Sequence, residues 1–113
     1  MIKVTFWKRA DSSYAGFDMI GHAGFANSGR DIICAAVSVL AINTVNSIEA
    51  FTALKPISDE SDGHLTLQLP DLSKASAEDR RAVDLLLDSM QLGLESIKSS
   101  YGSHYLQVQT IQK

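Results

Sequence analysis

Asp31-Ile32-Ile33-Cys34-Ala35-Ala36-Val37-Ser38-Val39-Leu40-Ala41-Ile42 is the stretch whose reading decides the fold. Its apolar run is eleven residues long even with Ser38 counted. A membrane span needs about 20 residues, so the run reads as a buried core helix. Asp31 suits the N-cap, because its carboxylate can accept hydrogen bonds from the free N–H groups of a first turn. The helix is expected from Ile32 to about Leu54. Val37, Leu40, Ala41, Thr44, Val45 and Ile48 supply the apolar i, i+3, i+4 stripe, and Pro56 marks the stop.

Upstream, Ile2 to Lys8 alternates apolar and polar with the period of a half-buried strand. Asp11-Ser12-Ser13 reads as a turn, Phe17-Asp18-Met19 as a second strand, and Gly21 as its end. Ala23 to Arg30 is rich in glycine and small polar residues and reads as a mobile loop. Downstream, Ser61-Asp62-Gly63 is a hairpin turn signal followed by the strand Leu65 to Leu69, which Pro70 closes. Ser76 caps a second helix, whose first turn holds Glu78 and Asp79, where the helix dipole favours anions. Val83, Leu86, Leu87, Met90, Leu94 and Ile97 form its buried face, and Gly102 can end it. Leu106, Val108 and Thr110 alternate with Tyr105, Gln107 and Gln109 as a last strand. The order β-β-α-β-β-α-β predicts an α+β fold in a single domain over 1–113. Two long helices would pack on one face of a five-strand, mostly antiparallel sheet. Strand order is not legible.

Composition bounds the function. Hydrophobic residues at 45% and charged residues at 20% suit a globular chain. The single cysteine excludes an internal disulfide and points to a reducing, cytoplasmic setting. No secretory h-region is evident at the start, and no membrane association is expected. The net charge is −3 with no Lys/Arg cluster, so direct nucleic-acid binding is not favoured. One cysteine and three scattered histidines have no zinc-ligand spacing. No metal and no cofactor are expected.

The chemistry gathers at Cys34. A helix N-terminus stabilises a thiolate, and the N–H groups of the first turn, that of Cys34 included, could hold an oxyanion. His22, twelve residues upstream, could move the proton if its ring meets the sulfur. Asp31 could cap the helix or orient His22. Capping fits its position better, and its carboxylate then opposes the thiolate. Ser38, one turn after Cys34, could line a pocket, or it could bond back to the Cys34 carbonyl. The plain alternative is that Cys34 is a small core hydrophobe and His22 a loop residue. His64 and His104 read as surface residues. Trp7, Phe6, Phe17, Tyr14 and Phe25 could form a groove, although strand aromatics usually pack.

Gly21-His22-Ala23, then Gly29, then Asp31-Ile32-Ile33-Cys34-Ala35-Ala36-Val37-Ser38 resembles the signature of the ribosomal-processing cysteine protease family. Length and element order agree with that family along essentially the whole chain, and Ile33 in place of the more usual valine is a conservative departure. The resemblance implies a protease that removes a short N-terminal extension from large-subunit ribosomal protein number twenty-seven, cleaving after an aromatic residue. It implies Cys34 as nucleophile, His22 as general base, and a gating loop containing Ala23, Gly24, Phe25, Asn27, Ser28 and Gly29. It also implies a homodimer. Two other functions stay in view: a non-catalytic, ribosome-associated peptide-binding module, and a redox-sensing thiol. The second would need an external resolving thiol, since the chain has none.

Overall fold

A computed structural model of the chain describes residues 1–21 and 31–113. The strands are β1 (Ile2–Lys8), β2 (Tyr14–Ile20), β3 (Ile57–Ser61), β4 (His64–Gln68) and β5 (Leu106–Gln112). The helices are α1 (Ile32–Phe51) and α2 (Ala77–Tyr101), with a short 3-10 turn at Leu72–Lys74. The sheet runs β3-β4-β2-β1-β5. Its three pairs β1–β2, β2–β4 and β3–β4 are antiparallel, and β1–β5 is parallel. The expected element order and two-layer architecture therefore hold. The parallel pair places the last strand beside the first.

Alternation drives the packing. Ile2, Val4 and Phe6 of β1 are buried, as are Leu65 and Leu67 of β4. They meet Ile33, Val37, Ala41, Val45 and Ile48 of α1 and Val83, Leu87, Met90 and Leu94 of α2 in one core. Leu40, Leu86 and Ile97, expected on the buried stripes, are half-buried and pack against its edge. The helices approach closely at Gly93, where an added Cβ would lie 2.8 Å from Leu40 Cδ1. By length and composition α1 could cross a membrane. Its packed stripe is that of a core helix.

Several boundaries differ from expectation. α1 ends at Phe51 rather than near Leu54. Thr52 turns extended there, and its hydroxyl donates to the Ile48 carbonyl at 2.6 Å and accepts from the Leu54 N–H at 3.2 Å. β2 begins at Tyr14, upstream of Phe17. Gly16 hides this in the alternation, and an ideal Cβ on it would stand 1.9 Å from the Leu67 carbonyl oxygen. β4 starts and ends one residue early, at His64 and Gln68.

Phe6, Tyr14 and Phe17 pack on one another, with ring centroids 6.0 Å apart for Phe6 to each neighbour. Trp7 donates from Nε1 to Asp18 Oδ2 at 3.0 Å. These four do not line a shared groove, and Phe25 lies outside the described residues. The Tyr14 hydroxyl donates to Asp88, and Lys8 Nζ sits 3.7 Å from the centre of its ring. Burial first, then that bond to Asp88, pushes the phenol's ionisation well above its ordinary range.

Candidate active site

Cys34 is the third residue of α1, half-buried at the edge of the core. Asp31 holds it there. The Asp31 backbone is extended, its Oδ1 accepts the Cys34 N–H at 2.9 Å, and its carbonyl accepts the Ala35 N–H at 3.1 Å. This is N-capping in the ordinary sense: a side-chain oxygen satisfies a donor that has no partner inside the helix. The Cys34 amide, a candidate oxyanion donor from sequence, is thus occupied by the cap.

A pocket of about 100 Å³ opens beside the sulfur. Helix α1 contributes Cys34, Ser38 and Ile42, which recur every four residues and so share one helix face. The strands contribute the apolar Ile2, Met19 and Leu65. The β3–β4 hairpin closes the far side with Glu60, Ser61, Gly63 and His64. Ser38 stands on this wall, and among the described residues it makes no bond back to the Cys34 carbonyl. His64 and His104 are exposed. His64 shares the pocket rim, and His104 packs edge-on against Tyr105 with ring centroids 5.5 Å apart.

His22 lies outside the described residues, as do Ala23, Gly24, Phe25, Asn27, Ser28 and Gly29. Two described positions, Gly21 and Asp31, bracket them in the chain. Gly21 lines the pocket on one side and Asp31 caps the Cys34 turn on the other. The Gly21 N–H donates to the Gly63 carbonyl at 2.8 Å, tying the end of β2 to the hairpin tip. Its φ is +101°, and an ideal Cβ there would lie 2.3 Å from the Met1 carbonyl oxygen. Only glycine fits both demands.

In the sequence Gly21 reads as a strand terminator, and nothing there marks the hairpin as part of the site. The signal available was Asp62-Gly63, which marks a tight turn without saying where its tip will dock. Glu60, Met19 and Ile2 had no local signature at all, since the sheet order alone brings them to Cys34.

The profile of the cysteine protease Prp family matches residues 1–106. The ribosomal processing cysteine protease Prp of Bacillus subtilis (strain 168) is 31% identical over 103 residues, covering 89% of this chain and 90% of the relative. The protein of the same name from Staphylococcus aureus (strain Mu50) is 27% identical over 106 residues, covering 92% and 94%. Among solved structures, that of the essential ribosomal processing protease Prp from S. aureus, in complex with a covalently linked product peptide, superposes with a TM-score of 0.85. It is 25% identical and covers 98% of this chain and 100% of its own.

Proposed function

The chain belongs to the cysteine protease Prp family and is a cysteine protease, and from that premise we propose that Cys34 is its nucleophile and His22 its general base. The proposed substrate is the N-terminal extension of large-subunit ribosomal protein number twenty-seven, cut after an aromatic residue. The observation that carries this reading is the placement of Cys34. It is half-exposed in the first turn of α1, on a pocket whose wall includes Gly21, the residue directly before His22 in the chain. The covalently linked product peptide of the S. aureus relative supports attack by a protein nucleophile.

In this mechanism the His22 imidazole takes the thiol proton and the Cys34 sulfur attacks the scissile carbonyl carbon. The carbonyl oxygen becomes an anion. The Cys34 amide can help hold it only by leaving Asp31, so other backbone donors near the first turn carry that task. The tetrahedral intermediate collapses to a thioester as the C–N bond breaks, and His22 protonates the departing amine. Water, deprotonated by His22, then hydrolyses the thioester and frees the sulfur. The apolar wall of Ile2, Met19, Ile42 and Leu65 suits a hydrophobic leader side chain. A gating role for the loop from Ala23 to Arg30 and a homodimer, both from the family resemblance, and a cytoplasmic location, from the single cysteine, complete the reading. Light scattering on the purified protein tests the homodimer.

The test is cleavage of a peptide spanning the leader junction, with the cut site read by mass spectrometry. Cys34→Ala should abolish cutting. His22→Ala should slow it by about 10²- to 10⁴-fold, the usual worth of a positioned base. Cutting that persists in Cys34→Ala refutes the mechanism. Iodoacetamide separates this reading from a passive binding module, because a catalytic thiol alkylates fast at neutral pH and a core thiol barely reacts.

A further inference from the structure

The chain's acidic excess is concentrated in one hairpin. Of thirteen acidic residues, Asp59, Glu60 and Asp62 lie in the β3–β4 hairpin, which contains no Lys or Arg. The rest of the chain carries ten acidic and ten basic residues, so this hairpin alone accounts for the net charge of −3. All five residues of β3 are exposed, and β3 is an edge of the sheet.

Register decides which of these carboxylates serves the site. Glu60 pairs with Leu65 and Asp59 with Thr66. Leu65 is buried beneath the helices, so Glu60 lies on the helix-covered face of the sheet and Asp59 on the other. Glu60 therefore stands on the same side as α1 and lines the pocket that Cys34 lines. It has no hydrogen bond or ion pair among the described residues. Among the described residues the lining contains no Lys or Arg to neutralise it, and His64 shares the rim. A carboxylate with no partner among the described residues, at the polar rim of an apolar wall and on a hairpin with two further acids, complements a cation on whatever occupies the pocket.

We propose that Glu60 is a specificity-determining residue that selects a lysine or arginine side chain in the peptide bound beside Cys34. The inference rests on the protease reading for the identity of the occupant. The apolar wall takes a hydrophobic side chain, and Glu60, at the rim, takes a basic one nearby in the same extended segment. Asp59 and Asp62 add to the field without facing the pocket directly.

Binding tests this without requiring turnover. Fluorescently labelled leader-junction peptides, with one lysine walked through successive positions of an otherwise neutral sequence, are titrated against the full chain carrying Cys34→Ala. Affinity is read by anisotropy at low salt and again at high salt. At one or two positions lysine should tighten binding about fivefold at low salt, the scale of an exposed ion pair. The gain should fade at high salt. Adding Glu60→Gln should abolish it, and Glu60→Lys should transfer the preference to a glutamate peptide. In the active enzyme the same positions should change KM rather than kcat. No lysine preference at any position, or a preference that survives Glu60→Gln, overturns the proposal. Charge-selective binding by a chain whose wild-type form cuts none of the peptides would uphold Glu60 and sink the protease assignment instead.

Discussion

Replacing Gly21 by alanine separates two reasons for a glycine, because the fold supplies its own control. Gly21 and Gly102 share a φ of +101°. Around Gly102 an added Cβ would meet nothing within 4 Å, whereas at Gly21 it would lie 2.3 Å from the Met1 carbonyl oxygen. Backbone strain alone should make Gly102→Ala cost about 1–3 kcal/mol. Gly21→Ala carries the same strain plus a backbone collision of nearly an ångström. The β1 start cannot easily retreat, since Ile2 is 1% exposed and its N–H bonds the Tyr105 carbonyl at 2.9 Å. Displacing either side also endangers the Gly21–Gly63 bond, worth about 0.5–1.5 kcal/mol. Together these put Gly21→Ala about 1–3 kcal/mol above Gly102→Ala, on the scale of an overpacked site. Urea denaturation of the two variants measures the difference, and peptide cleavage should fall with Gly21→Ala only. Equal losses of stability would refute the idea that the Met1 carbonyl is what excludes a side chain.

Three further outcomes follow from the same geometry. Asp31→Ala should lower stability by about 0.5–2 kcal/mol through loss of the cap on the Cys34 amide, while Asp31→Asn should recover most of it, as judged by denaturant midpoints. Ile33→Ala, at a fully buried core position next to Cys34 in the chain, should cost about 2–5 kcal/mol by opening a cavity, measured the same way. Tyr14→Phe should cost about 1 kcal/mol at pH 7 by removing the donor to Asp88. Because the fold raises this phenol's pKa, its contribution is complete below the unfolded value of about 10 and is lost as pH climbs beyond it. The gap between wild type and Tyr14→Phe should therefore narrow from pH 9 to pH 11.

Local physics made the helices and most of the strands legible. Asp31 and Ser76 announce their helices because a capping side chain must sit next to the donors it serves. The stripe from Val37 to Ile48 is visible because a helix buries every third or fourth residue. The start of β2 was hidden, since Gly16 answers to the Leu67 carbonyl on a strand about fifty residues later. The site divides the same way. Cys34 and Ser38 share a helix face by spacing alone, but Glu60 and Gly63 reach them through the pairing of β2 with β4. No periodicity encodes that pairing.

The parallel pairing of β1 with β5 has a consequence for how the molecule comes into being. Ile2, a wall of the Cys34 pocket, is fastened to Tyr105 and Leu106, roughly a hundred positions later. Contacts of such long separation form late, because the chain entropy they consume is recovered only when both partners are present. During synthesis β1 waits with one flank bare until β5 has emerged. The Ile2 wall of the Cys34 pocket is thereby fastened only once β5 has paired with β1.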